Sequence, residues 1–222
     1  MTKKFTFFFC LLFITLFPFI CGCENKSPLL DSVSLLRQDI YCGEFGDKVL
    51  NASFGFREYP FCDDGKAGER VYYYDFKLSI IPDEVKRTVE LTLNGKNYSA
   101  DFKLDPVSSE YKAEIETDNI RLSEFTVNVK SGSENCLVTL RSLIPENCIS
   151  YEKALTCLEK DQKSLISAFS SDGKFNAEIY LKIFVKNQKP YWYVALLQGN
   201  GKLKALLLDG LSGETLAIRD IF

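Results

Sequence analysis

The chain of 222 residues contains no histidine. That removes Ser/His/Asp and Cys/His nucleophilic catalysis, which need an imidazole to move the proton. A Ser–Lys dyad or a pair of carboxylates stays open as a route to hydrolysis. The candidate acid clusters are Asp63-Asp64, Asp83-Glu84, and Glu114 with Glu116. Each falls in a turn or on an alternating segment, where a solvated face is the expected reading. Asp63-Asp64-Gly65 would hold Ca²⁺ only with oxygen ligands from elsewhere, because the spaced acidic loop of an EF-hand is missing. Gly43-Glu44-Phe45-Gly46 and Gly199-Asn200-Gly201 lie among predicted strands, whereas a phosphate cradle needs glycines that open a helix. The residues therefore assign no catalytic group, no metal and no cofactor, and the chain reads as a non-enzyme.

Cysteines and aromatics are the other groups with chemistry. Of eight cysteines, Cys10 and Cys21 lie in an apolar N-terminal run and Cys23 just beyond it. The rest are Cys42, Cys62, Cys136, Cys148 and Cys157, an odd number that leaves at least one thiol free or paired to another molecule. The candidate disulfides are Cys42–Cys62, which flank a turn-rich segment, and a second bridge from Cys148 to either Cys136 or Cys157. Spacing does not fix the connectivity. With no CxxC and no histidine, zinc is not expected. Tyr72-Tyr73-Tyr74, Tyr191-Trp192-Tyr193 and Tyr180 with Phe184 put rings on both faces of their segments. One face must fill a core. The other is covered by a second layer or left open as an aromatic platform for a peptide or glycan, with Tyr191, Trp192 and Tyr193 as the candidate binding residues.

These residues need elements to hold them. Hydrophobic content of 46% indicates a folded body. The net charge of −3 is spread along the chain, and no basic patch speaks for nucleic acid. Tyr72, Tyr74, Phe76, Leu78 and Ile80 recur at period two, as do Val89, Leu91 and Leu93; Tyr98, Ala100, Phe102 and Leu104; Tyr111, Ala113 and Ile115; Phe125, Val127 and Val129; and Val138 and Leu140. Such alternation is the mark of half-buried strands. Asn94-Gly95 predicts a type I′ hairpin, and a further strand is expected near Val49–Phe56. About seven short strands favour an antiparallel β-sandwich over residues 41–145, immunoglobulin-like in architecture but without a Cys…Trp…Cys signature. Leu30, Val33, Leu36 and Ile40 have loose helical spacing within a stretch, 23–40, expected to serve as a polar tether. After a break at Pro145 and Asn147, Ser150 is the expected N-cap of a helix over Tyr151–Phe169. Alternating strands follow around 177–186, 191–197, 203–208 and 214–219. A helix covering an antiparallel meander makes an α+β unit over 146–222.

The N-terminus sets the expected compartment. Lys3-Lys4 precede an apolar run from Phe5 to Ile20, the length of a signal-peptide core, followed by Ile20-Cys21-Gly22-Cys23. This tetrapeptide resembles a bacterial lipobox, although Cys21 stands where Ala or Ser is usual. The resemblance implies removal of 1–22, lipidation of Cys23 and anchoring to a membrane by the acyl chains. An ordinary secretory signal cut near Gly22, or an uncleaved anchor, are the alternatives. All three export the rest of the chain, and cysteine usage fits an oxidising exterior.

A second resemblance lies at the other end. Lys189-Pro190-Tyr191-Trp192-Tyr193-Val194, followed by Leu208-Asp209-Gly210-Leu211-Ser212-Gly213-Glu214-Thr215-Leu216, resembles the PepSY family. The likeness covers residues 150–222 and implies a small α+β module with no catalytic residues, of a kind found on secreted or membrane proteins and in some cases thought to restrain peptidases. The expected protein is thus a mainly β, non-catalytic cell-surface lipoprotein that meets a protein or peptide partner at the envelope. A carboxylate hydrolase and a disulfide-linked assembly protein are the competing expectations.

Overall fold

The folded body reaches further toward the N-terminus than a tether over 23–40 allows. The computed structural model describes residues 27–60, 68–81, 83–199 and 201–221. Pro28–Ser32 make a 3-10 turn capped by Ser27, whose hydroxyl accepts from the Leu29 amide. Strand β1 (Val33–Phe45) follows directly. Leu29, Val33 and Leu36 are fully buried. The expected tether over 23–40 and its loose helix are therefore corrected: from Ser27 onward the chain is part of the folded body, and residues 23–26 lie outside the described residues.

The chain then runs through β2 (Lys48–Glu58), β3 (Arg70–Ser79), β4 (Arg87–Leu93), β5 (Lys96–Asp101), β6 (Lys103–Asp105), β7 (Glu110–Thr117), β8 (Glu124–Ser131) and β9 (Glu134–Ser142). Asn94-Gly95 join β4 to β5 with both residues at positive φ, as the turn type requires. The structure is mainly β with a large antiparallel sheet, as expected. Its strands do not separate into two sheets, however. They hydrogen-bond in the order β1-β2-β3-β7-β6, while β1 also pairs β9, β9 pairs β8, β8 pairs β4 and β4 pairs β5. Phe102 links β5 to β6, so the segment pairs β4 on one side and β7 on the other. A ring of strands results, and its inward residues fill it.

Tyr41, Phe54, Tyr74, Phe76 and Phe125 dominate this first core. Their rings meet edge-on or tilted, for instance Tyr41 against Phe125 with centroids 5.0 Å apart. The three buried phenols keep partners: Tyr41 donates to Leu122 O at 2.7 Å, Tyr74 to Ile120 O at 2.9 Å and Tyr111 to Asp83 O at 2.6 Å.

The last third follows the expected order. Ser150 Oγ accepts from the Lys153 amide and opens α1 (Tyr151–Asp161). The single predicted helix is interrupted at Gln162, and α2 (Lys163–Ala168) continues it. After a two-residue hairpin, β10 (Ser170–Ser171) with β11 (Lys174–Phe175), come β12 (Glu178–Lys186), β13 (Lys189–Leu197), β14 (Leu203–Asp209) and β15 (Thr215–Ile221), an antiparallel meander. Ala154, Leu155 and Leu158 of α1 pack on Ile179, Leu181, Trp192, Val194 and Leu206 in a second core.

Leu29, Val33 and Leu36 belong to that second core, while Tyr41 belongs to the first. The reason is topological. The first half of β1 pairs in parallel with β12, with Leu36 opposite Leu181 and Arg37 opposite Lys182. Its second half pairs with β9 through Tyr41 and Cys42. One sheet therefore runs through both halves, and the break near 145 is a crossing of the chain over that sheet.

Candidate functional site

The crossing creates a cleft. β1 carries an irregularity between Arg37 and Asp39, opposite β2, which leaves Gln38 as an extra residue. Just there the edge of β1 passes from β12 to β9, and the segment after β9 is tied back by Leu143 N to Ile40 O at 2.9 Å. A cavity of about 420 Å³ opens at this fork, lined by Gln38, Asp39, Arg121, Cys148, Tyr151 and Trp192 among others.

Asp39 is buried, with 2% of its surface exposed. Arg121, from the loop before β8, reaches both of its oxygens, Nε to Oδ2 and Nη2 to Oδ1, the latter at 3.0 Å. Burial pushes the Asp39 carboxyl above its ordinary value, and the Arg121 pair opposes that rise without cancelling it. Burial also lifts the neighbouring Cys148 thiol to about 11 and the Tyr151 phenol to about 12. Cys148 donates to Ile149 O at 3.5 Å. The thiol is thus held protonated and the carboxylate is occupied, so neither is an activated nucleophile or a free base. The Asp39–Arg121 pair was missed in the sequence. Its one signal was Arg37-Gln38-Asp39, polar residues inside an apolar stretch.

The predicted acid clusters do not converge. Asp83 is gripped by Arg87, which holds its carboxyl down to about 2. Glu114 binds Arg57, and Glu116 lies 3.6 Å from the same guanidinium. Asp63 and Asp64 lie outside the described residues. Asp83, Glu114 and Glu116 are surface ion-pair partners on strands and turns, of the sort that contribute little alone.

The cysteines are also dispersed. Cys42, Cys136, Cys148 and Cys157 are free thiols. The expected bridge from Cys148 to Cys136 or Cys157 is not formed. Cys136 sits six residues back along β9 from Ser142, roughly 20 Å at strand rise, while Cys148 packs beside the second core. Cys157 faces the turn at Gly213 and donates to Ser212 O. Cys62, the expected partner of Cys42, lies outside the described residues, as does the lipidation candidate Cys23.

The aromatic segment divides by strand parity. Trp192 is 2% exposed in the second core, and its indole N–H donates to Ile149 O at 3.1 Å. It therefore cannot serve as a surface ring, which corrects that expectation. Tyr191 and Tyr193 point to the opposite face with Tyr180 and Phe184, all half-buried. Phe184 stacks on Tyr191 with centroids 5.4 Å apart. The strand register runs this face across the sheet: Leu207, Tyr193, Lys182, Arg37, Gly55 and Tyr73 are consecutive partners. The buried residues of α1 all lie on the other side, in the second core.

The turn after β14 is built by Asp209, whose Oδ1 accepts from the amides of Leu211 and Ser212. Gly213 closes it at φ +80. Gly210 donates to Pro190 O, and a Cβ on it would lie 2.6 Å from that oxygen. Among the described residues no group of three or more metal-ligating side chains gathers, and no helix is long and apolar enough to cross a membrane. No protein-family model and no curated protein matches the chain.

Proposed function

We propose that this protein is a non-catalytic, lipid-anchored cell-surface protein that binds a protein or peptide partner through the outer face of its C-terminal meander. The observation that carries the reading is the parity of β12 and β13. Tyr180, Phe184, Tyr191 and Tyr193 form a half-exposed aromatic surface on the side of the sheet away from α1. Rings that lie flat on a rigid sheet supply contact area at low entropic cost, which suits a peptide partner.

The helix-plus-meander order and the Asp209–Gly213 turn support the PepSY likeness, and through it a role in restraining an envelope peptidase. The cell-surface placement rests on Ile20-Cys21-Gly22-Cys23, with Cys23 as the lipidated residue. Described order starts within a few residues of that cysteine, so a lipid there would hold the body close to the membrane.

Affinity capture with the full chain in detergent tests the partner. The expected result is a protein or peptide retained from envelope extract by the parent and lost from the Tyr191→Ala/Tyr193→Ala double variant. Capture that is indifferent to both tyrosines would remove this face as the binding site. Intact mass of the mature chain tests the anchor: a lipidated N-terminus at Cys23 is expected, and an unmodified terminus overturns it.

A further inference from the structure

The aromatic face continues into a cluster of three cations that a single carboxylate, Asp75, compensates only in part. Arg37 and Lys182 are direct partners across the parallel β1–β12 pair, an arrangement that like charges disfavour. Lys77 joins them from β3. Burial, together with Arg37 and Lys77, lowers the Lys182 amine from its usual value, which places the three cations within electrostatic reach of one another. Arg37 Nε is buried without a hydrogen-bond partner, and Nη2 makes only a 3.4 Å contact to Ile183 O. Among the described residues none of the three cations is in an ion pair.

The carboxylate nearby answers only part of this charge: Asp75 interacts electrostatically with Arg37 and Lys77 but makes an ion pair with neither. Asp75 is the one carboxylate lining the hollow of about 180 Å³ where Arg37, Asn51, Ser53 and Lys77 meet. Glu114 is already bound by Arg57, and Lys112 by Asp105. Between Arg37 and Tyr73 in the same row stands Gly55, which has no side chain because β1 presses on it. The sheet therefore offers a bare floor flanked by a guanidinium and a ring, with Lys182 and Tyr193 beyond.

From this juxtaposition we infer that the face takes an acidic peptide segment, its carboxylates meeting Arg37, Lys77 and Lys182 while its backbone or apolar side chains lie against Tyr73 and Tyr193. The inference rests on the proposed peptide-binding role and names the charge of the partner.

The test uses the full chain in detergent and a fluorescent hexaglutamate peptide, with hexaglutamine and inorganic polyphosphate as comparison probes. Hexaglutamate is expected to bind, to weaken as salt rises, and to lose roughly tenfold in affinity in Lys182→Gln. Lys77→Gln is a second variant should the first fail to fold. Equal binding of hexaglutamine, or no binding of hexaglutamate, overturns the inference. Polyphosphate binding in the absence of hexaglutamate binding overturns it in favour of a phosphate polymer. Tyr193-dependent capture of a partner alongside failed hexaglutamate binding would sink this inference and leave the peptide-binding role standing.

Discussion

Gly55 lies so close to the backbone of Leu36 that a Cβ added to it would overlap the Leu36 carbonyl oxygen and come within 2.7 Å of the carbon. This contact sits where β1 bulges and changes neighbours. Backbone cannot yield as a flexible side chain does. Gly55→Ala is therefore expected to cost at least about 2 kcal/mol through overpacking. Gly46→Ala is the comparator: it has open space but a φ of +59, and left-handed strain alone costs about 1 kcal/mol. Urea unfolding of both variants checks the order, and equal losses would contradict it.

Arg121→Ala should produce a stability loss that depends on pH. Asp39 is buried and its folded-state pKa is raised above 3.8. A raised carboxyl favours the fold when protonated, so its contribution is complete below the unfolded value and is lost as pH rises through the folded one. Removing Arg121 deletes the group that opposes the rise and leaves a buried charge at neutral pH. The expected cost is about 2 kcal/mol, tempered by the exposure of the guanidinium. The deficit should shrink from about pH 7 to about pH 4 as Asp39 takes up its proton. Melting temperatures of parent and variant across that range measure it, and a constant difference would argue against a charged Asp39.

Trp192→Phe removes the indole donor to Ile149 O while keeping an aromatic in the core. The freed carbonyl belongs to the segment that crosses the cleft. A loss of about 1–2 kcal/mol is expected, with faster proteolysis between Leu143 and Ser150 than elsewhere in the chain. Cleavage mapped by mass spectrometry would show this; nicking confined to other loops would not fit.

Cys148 should react slowly with iodoacetamide. With its thiol lifted to about 11, the thiolate fraction near pH 8 is roughly 100-fold below that of an ordinary thiol. Alkylation of the native chain followed by peptide mapping gives the rate relative to a free cysteine in a short peptide. Rapid labelling of Cys148, or its recovery in a disulfide, would contradict the geometry described for the cleft.

The strands with clean alternation were legible from residues alone. Tyr72 to Leu78, Val89 to Leu93 and the meander after Ala177 all fall where the period-two pattern puts them, while Ile80 lies just past the end of β3. β1 was not legible, for a physical reason. It carries irregularities after Val33 and after Arg37, and each extra residue shifts the phase of the side chains. The inward set therefore includes Val33, Leu36, Asp39 and Tyr41, and the first spacings of three imitate a helix. The ring closure hides in Phe102, a single buried residue at which the chain trades one neighbouring strand for another. The Asp39–Arg121 cleft is assembled from positions far apart in sequence, and no local pattern signals such a meeting. The outer aromatic face was half legible: parity separates Tyr191 and Tyr193 from Trp192, but only the position of α1 decides which side is open.

The double membership of β1 has a mechanical consequence. Its first residues are hydrogen-bonded to β2 on one edge and to β12 on the other, and among the described residues they open the first strand from the N-terminal end. A pull applied from that end acts along the strand axis and loads both ladders in shear, with many bonds bearing the force together. For a body tethered at that end, the load path enters the molecule at a strand that belongs to both cores.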